Sequence, residues 1–179
     1  TVLNKKELNE IKRRLLEILR NDQMLRKTSG IPQTSIEAMD RVHIASLKKI
    51  VKDLKGWPTI SKVGKKASKA AWIVAQHSRN LEFQRACLRL MKKDVSDVSP
   101  SNCAYLIDII GINTGKGQLY GTCLKTERNE EGKLVTEIPH LRFPKSVDKL
   151  RKKAGLLLLK DYIKIANNNF EKYLEKRDL

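Results

Sequence analysis

His77 is the residue of this chain whose type and position best suit proton transfer. It ends a predicted helix, where the negative end of the helix dipole favours a protonated imidazole, and histidine titrates near neutral pH. Gln76 directly precedes it, and Gln84 lies one turn into the next predicted helix. This position is typical of a general acid or base and equally typical of a helix C-cap.

A second polar segment, residues 117–122, reads Gly-Gln-Leu-Tyr-Gly-Thr and follows an apolar helix. Glycines on either side of Tyr120 allow backbone N–H groups to approach a ligand closely, and they equally serve as turn residues before a hairpin. The segment is neither a dinucleotide-binding fingerprint nor a Walker A loop.

Positive charge is concentrated in one region. The formal net charge is +17, from 37 Lys and Arg against 20 Asp and Glu, and residues 41–93 hold fourteen of the basic residues against two acidic ones. On a continuous helix, four of these lysines form one row, and His77 falls about 60° from it. We call this group the lysine row: Lys62, Lys65, Lys66 and Lys69.

Like charges at these spacings repel by a few tenths of a kcal/mol per pair, so the row favours contact with a polyanion over a merely solvated face. Aromatic residues make up 5% of the chain, which argues against a surface that stacks bases. Contact with phosphates, without reading of sequence, is the chemistry that the row predicts.

Metal and cofactor chemistry has little support in the sequence. The three cysteines, Cys87, Cys103 and Cys123, form no CxxC pair, and the three histidines lie far apart without an HExxH motif. We therefore expect no metal site and no cofactor. Unpaired cysteines favour a reducing compartment, and so a cytoplasmic location, although a signal removed before Thr1 would leave no trace.

Helical periodicity accounts for most of the chain. Apolar residues recur at helical spacing in four segments, which predict four helices. The first spans residues 3–27, and the second runs from a cap at Thr34 or Ser35 to residue 54. The third runs from residue 61 or 62 to 77, and the fourth spans 81–95. A fifth helix begins at Ser99-Pro100 and is apolar on most sides, which predicts a central, buried position.

The pattern then changes. Residues 122–126 and 134–138 alternate and predict a hairpin, after which one apolar stripe indicates a final helix: Leu159, Ile163, Ala166, Phe170 and Leu174. The sequence predicts a mainly α protein: a single domain over residues 1–179, a bundle of about six to seven helices with a small β-hairpin insertion near residues 122–138. No apolar run approaches the roughly 20 residues of a membrane span, and nothing in the sequence fixes an oligomeric state.

Several short motifs occur together in a recognisable order. The chain resembles the bacterial family catalogued as domain of unknown function 6624 over roughly residues 15–165. The resemblance is carried by Asp22-Gln23 with Arg26, Gly56-Trp57-Pro58, Val63-Gly64, Ala70-Ala71-Trp72, Gln76-His77, Phe83-Gln84, Ala104-Tyr105-Leu106, Gln118-Leu119-Tyr120-Gly121-Thr122, and Gly155-Leu156 with Asp161-Tyr162.

The resemblance implies polar site positions but no established activity. These positions are Asp22, Gln23, Arg26, Trp57, Gln76, His77, Gln84, Gln118, Tyr120 and Thr122. The family pattern continues Gln-His with Ala-Asp and Tyr-Gly-Thr with Gln, whereas this chain has Ser78-Arg79 and Cys123.

Three functions remain open. The first is a module that binds a polyanion, such as RNA, DNA or a phosphorylated ligand, through the region Arg41–Lys93 beside a polar pocket at His77. The residues expected to make the contact are the lysine row and Arg79. The second is a metal-independent nuclease, phosphodiesterase or nucleotide-acting hydrolase or transferase, with His77 as acid or base. The third is an interaction protein whose basic face docks an acidic protein.

For the enzyme, the resemblance supplies Asp22, Arg26 and Tyr120 beside His77 in the catalytic set, where Arg26 and Tyr120 would stabilise charge. The remaining positions would bind or orient the ligand: Gln23, Trp57, Gln76, Gln84, Gln118 and Thr122. No Ser-His-Asp, Cys-His or paired-carboxylate constellation can be read from the spacing.

Overall fold

A computed structural model describes the backbone of residues 3–175 and the side chains of residues 3–171. Contacts divide the chain into two compact units, Thr1–Leu106 and Ile107–Leu179. The described part contains eight α-helices, one short 3₁₀ helix and one two-stranded hairpin, which confirms the mainly helical prediction with one helix more than expected. The single domain over residues 1–179 stays a prediction. No described helix is both long and apolar enough to cross a membrane.

The first unit holds five helices and the start of a sixth. Their bounds are α1 Lys5–Lys27, α2 Gln33–Asp53, α3 Ile60–Val63, α4 Lys65–His77, α5 Leu81–Lys93 and α6 Pro100–Asn113, with a 3₁₀ helix at Val95–Asp97. Helix α1 packs mainly against α4, and both contact α2. The boundary between the two units falls within α6.

Helix α1 carries an acidic residue on its buried face. Asn4 caps it in a capping box with Glu7, and Ile11, Leu15 and Ile18 are buried at helical spacing. Asp22 follows Ile18 by four residues, so it lies on this same face and is only 3% exposed. The core-facing pattern of α1 therefore ends in a carboxylate.

Helix α2 begins earlier than predicted. Pro32, not Thr34 or Ser35, precedes its first residue, and the Pro32 carbonyl accepts hydrogen bonds from the backbone N–H of Ser35 and Ile36. Pro32 has φ −59°, within the range that its ring imposes, and its carbonyl starts the helix without a side-chain cap. His43 is buried in the middle of the apolar face, as its spacing indicates.

The predicted continuous helix from residue 61 or 62 to 77 is wrong, because Gly64 interrupts it. Gly64 has φ +85°, a conformation that residues with a Cβ rarely adopt, and its carbonyl accepts the hydrogen bond that starts α4. Lys62 therefore lies on α3, while the other three members of the lysine row lie on α4. The 60° relation between His77 and the row does not hold, since it assumed one helix.

Small side chains allow α4 to be buried closely on its other face. Ala67, Ala70, Ala71 and Val74 are at most 4% exposed.

Helix α5 ends at Lys93, two residues before the predicted end, and the 3₁₀ helix follows it. The fifth predicted helix is α6, where Leu106 is fully buried but its apolar neighbours on either side are half-buried, so its central position is only partly confirmed.

The second unit contains the hairpin and two helices. Strands β1 (Lys125–Arg128) and β2 (Leu134–Glu137) pair antiparallel, with Thr126 opposite Thr136. Helix α7 spans Val147–Lys153 and α8 spans Leu159–Glu175. The first four members of the predicted apolar stripe on α8 are half-buried, and the side chain of Leu174 lies outside the described residues.

Candidate active site

A buried carboxylate orients the imidazole of His77. Helices α1 and α4 pack together, and this places Nδ1 of His77 2.9 Å from Oδ1 of Asp22, a residue 55 positions earlier. Because an ionised carboxylate only accepts hydrogen bonds, Nδ1 carries the proton and Nε2 is the unprotonated nitrogen of the neutral ring. Asp22 thus holds the histidine in one tautomer.

Arg26 connects this pair to a second carboxylate. It lies one turn after Asp22 on α1; its Nε donates to Oδ1 of Asp22 at 2.9 Å, and its Nη2 donates to Oδ1 of Asp40 at 2.5 Å. Gln23 donates from Nε2 to the other oxygen of Asp22 at 3.0 Å. Three side-chain donors therefore converge on the carboxylate of Asp22, which fixes its position.

The hydrogen bonds keep Asp22 ionised despite its burial. Burial alone would raise its pKa, but the hydrogen bonds from His77 and Arg26 outweigh that effect and lower the pKa to about 2. His43 is 4% exposed, and burial lowers its pKa. The site therefore holds a fixed negative charge against the ring of His77.

His77 lines an open cavity of about 460 Å³, a volume within the range of small-molecule sites. Its side chain is 29% exposed, and with Nδ1 held by Asp22, Nε2 is the nitrogen left for a ligand. The other lining residues come from α2 and the α4–α5 connection: Glu37, Asp40, Arg41, Ile44, Arg79 and Asn80.

The charges around the cavity are partly paired. Arg79 donates from Nη1 to Glu37 at 2.8 Å, and Asp40 is held by Arg26. Arg41 is exposed and has no carboxylate partner among the described residues. One unpaired guanidinium therefore stands at the cavity with the imidazole.

Asp22, Asp40 and His77 each have an atom that could coordinate a cation. One ligand atom each from Asp22, Asp40 and His77 lies within 4.8 Å of the others. The guanidinium of Arg26 already contacts both carboxylates and supplies positive charge between them. The ion pairs of Arg26 with both carboxylates hold this cluster together.

Three other predicted positions of the first unit lie away from this cavity. Trp57 is fully buried, and its Nε1 has no hydrogen-bond partner among the described residues. Gln84, also fully buried, donates from Nε2 to the carbonyls of Ala75 and Ser78, which ties α5 to the end of α4. Gln76 has a buried Oε1 with no described partner. None of these three lines the cavity at His77.

The predicted residues 118, 120 and 122 belong to a cluster within the second unit, organised by Asp108. Its Oδ1 accepts from the backbone N–H of Leu119 and Tyr120, and its Oδ2 accepts from both the N–H and the hydroxyl of Thr122. Gln118 is fully buried and bridges the backbone of Cys123 and Pro139. These contacts hold the loop in shape, and they explain why β1 begins at Lys125 rather than at Thr122.

Sequence reasoning missed three residues that matter here. Asp40 lies on α2 three residues before the buried His43, and Asp108 is the lone acidic residue among the apolar residues of α6. Arg151 is 1% exposed and donates to the carbonyls of Tyr120, Gly121 and Leu157. A charged residue on an otherwise apolar helix face was the available signal for Asp40 and Asp108.

All four lysines of the lysine row are exposed, and no carboxylate pairs with them among the described residues. Lys62 contacts the backbone, with Nζ 3.5 Å from the carbonyl of Trp57. The predicted charge is therefore displayed to solvent, distributed over α3 and α4 rather than along one helix.

Comparison with known proteins gives a family and no activity. No curated protein and no solved structure matches the chain. The model of a family of unknown function, DUF6624, matches residues 11–174, and so spans both units. The chain belongs to this family of unknown function, DUF6624.

Proposed function

We propose that the cavity beside His77 is a metal-independent acid–base site that acts on a phosphate ester. The observation that carries the proposal is the 2.9 Å contact between Nδ1 of His77 and the buried, ionised carboxylate of Asp22. This arrangement fixes the tautomer in which Nε2 accepts a proton, and it stabilises the imidazolium that follows. His77 would be the catalytic residue, and Asp22 its positioning residue.

Proton transfer through Nε2 would serve the attack at phosphorus. Nε2 takes the proton of an attacking water or hydroxyl as the new P–O bond forms. The leaving oxygen lies on the far side of phosphorus, roughly in line with the attacking one, so it takes its proton from solvent water as the other P–O bond breaks. The imidazolium then releases its proton to solvent, and the ring ends neutral.

The charge at the cavity supports an anionic substrate. Arg41 has no carboxylate partner among the described residues, and Arg79, 74% exposed, can exchange Glu37 for a phosphate oxygen. Both arginines line the cavity together with His77. A guanidinium beside the reacting group would stabilise the charge that develops on the phosphate oxygens.

Hydrolysis of chromogenic esters in EDTA tests this proposal. The probes are bis(p-nitrophenyl) phosphate, p-nitrophenyl phosphate and a short labelled RNA. We expect His77→Gln to lower the rate at least about 100-fold, the usual contribution of an acid–base group. His140→Asn, a change at an exposed histidine in the second unit, is the matched control and should keep the rate. Full activity of His77→Gln, or turnover of none of the three probes, contradicts the proposal.

A second candidate function, binding of a polyanion, has its own supporting observation: the lysine row is exposed and has no carboxylate partner among the described residues. Binding through phosphates releases counterions, so affinity for a labelled single-stranded RNA should fall linearly with salt on logarithmic axes. Replacing Lys65, Lys66 and Lys69 by glutamine should reduce that slope by about 2.

The matched control replaces three exposed lysines of α7, Lys149, Lys152 and Lys153, and removes the same charge from the second unit. Retention of the slope in this control supports the lysine row as the contact. Equal losses in both triple variants would mean that net charge alone drives association, and they would contradict this candidate.

The proposed cellular setting is a reducing one. All three cysteines are free, and Cys87 and Cys103 are buried. Unpaired cysteines are the usual state in the cytoplasm, which favours a cytoplasmic location for the proposed activity.

A further inference from the structure

A small cavity of about 210 Å³ lies in the first unit, between the start of α4 and the start of α6. Two lysines of the lysine row line it, Lys65 and Lys69, together with Ser68 between them. Ser99, Ser101 and Asn102 face it from the beginning of α6. We call it the serine–lysine cavity. None of its lining residues is acidic, and none lines the cavity at His77.

The start of α6 adds partial positive charge. Pro100 is the first residue of this 14-residue helix, and the N–H of Cys103 bonds back to the carbonyl of Ser99. Proline has no N–H, so Ser101 and Asn102 supply the first N–H groups of the helix, which have no partner inside it. A helix start of this kind attracts anions, and two ammonium groups reinforce it here.

Ser68 points to a ligand independently of the helix start. It is 5% exposed and lines the cavity, and its hydroxyl makes no hydrogen bond with any described residue. The hydroxyl is therefore free to bond to a group that enters the cavity. An oxygen of an anion is a suitable partner, since a hydroxyl donates to it readily.

We infer that the serine–lysine cavity binds a phosphate group. Hydroxyl donors, backbone N–H groups and two ammonium groups suit an oxyanion with several acceptor oxygens. The cavity is smaller than the roughly 300 Å³ at which small-molecule sites begin, so it suits one phosphate group rather than a whole nucleotide. This inference deepens the second candidate function, binding of a polyanion. It rests on that proposal, because the polyanion would supply the phosphate group.

Titration with inorganic phosphate, followed by ¹H–¹⁵N NMR, tests the site. We expect saturable shifts of the amides of Ser68, Ser101 and Asn102. Ser68→Ala should weaken binding about 10-fold without lowering the melting temperature, because its hydroxyl has no protein partner to lose and alanine favours a helix.

Lys65→Gln should also weaken phosphate binding about 10-fold. Its matched control is Lys66→Gln, an equally exposed neighbour on α4 that does not line the cavity, and we expect less than a twofold effect from it. Equal effects of these two variants would mean diffuse attraction to the helix surface and would overturn the inference. The absence of saturable shifts in the wild-type protein would overturn it as well.

A second titration, with a DNA hexanucleotide, separates the sources of phosphate. Shifts of the same three amides with both probes would show that the cavity holds a backbone phosphate of nucleic acid. Shifts with inorganic phosphate alone would support the cavity as a site for a small phosphorylated ligand and would count against polyanion binding. The two proposals can therefore fail separately.

Discussion

Replacing Asp22 by asparagine removes the charge on which the candidate active site depends. Hydrogen bonds from His77 and Arg26 lower the pKa of this carboxylate from its ordinary value of 3.8 to about 2. Because Asp22 is 3% exposed, solvent screens these contacts little. The difference between the two pKa values corresponds to about 2 kcal/mol of unfolding free energy at neutral pH.

The sign of the pH dependence follows from the direction of this shift. The folded protein holds the proton of Asp22 less tightly than the unfolded chain does. The stabilisation is therefore fully present above pH 3.8 and is lost as the pH falls toward 2. Asp22→Asn should thus be less stable than the wild type by about 2 kcal/mol at pH 7 and at pH 5, and this difference should shrink at pH 3.

Urea unfolding followed by far-UV circular dichroism measures this difference at pH 7, 5, 4 and 3. The matched control is Asp53→Asn, since Asp53 also accepts from a cation at 2.9 Å, the ammonium of Lys49, but is 35% exposed. A surface pair of this kind contributes at most about 0.5 kcal/mol. Equal destabilisation by the two variants, or a difference for Asp22→Asn that is the same at pH 7 and pH 3, would refute the reasoning.

Three further predictions concern other buried groups. Burial lowers the pKa of His43, so the unfolded chain binds a proton at this residue more readily than the folded protein does. The stability of the wild type should therefore fall as the pH drops below 6.5. His43→Leu should show a smaller drop in melting temperature than the wild type between pH 7.5 and pH 5. Asp108→Asn removes one acceptor oxygen and the charge, so it should cost about 3 kcal/mol and expose the amides of Leu119 and Thr122 to hydrogen exchange; unchanged protection would contradict the role given to Asp108. Burial raises the pKa of the Cys87 thiol to about 12, so iodoacetamide at pH 8 should modify it slowly in the folded protein and rapidly in urea, as mass spectrometry would show.

Local signals in the sequence accounted for most of the helices. The periodic apolar residues of α1 and the break after it depend on neighbours within a few turns, so they can be read directly. Gly64 could not be placed in the same way, because its neighbours continue a helical pattern and only its φ of +85° reveals the interruption. The four lysines of the lysine row are exposed, but they do not lie along one helix. Lys62 belongs to α3 and the other three belong to α4.

The contacts of the candidate site depend on distant parts of the chain. Asp22 and His77 both stood among the predicted positions, but a helical pattern carries no information about which face of α1 meets which face of α4 at that point. Asp40 joins them through Arg26 from a third helix, and sequence spacing gave it no role. The predicted residues Gln118 and Thr122 serve a separate cluster in the second unit, because Asp108 and the surrounding backbone satisfy their hydrogen bonds.

Both tryptophans of the chain lie in the first unit, where Trp57 is fully buried and Trp72 packs edge-on against Tyr105. Intrinsic tryptophan fluorescence therefore reports on the first unit alone, whereas an ellipticity signal at 222 nm arises from helices of both units. Coincident denaturation curves from these two signals would indicate one cooperative domain, as the sequence predicts. A fluorescence transition separated from the helical one would instead reveal two independently stable parts, without any label having been introduced.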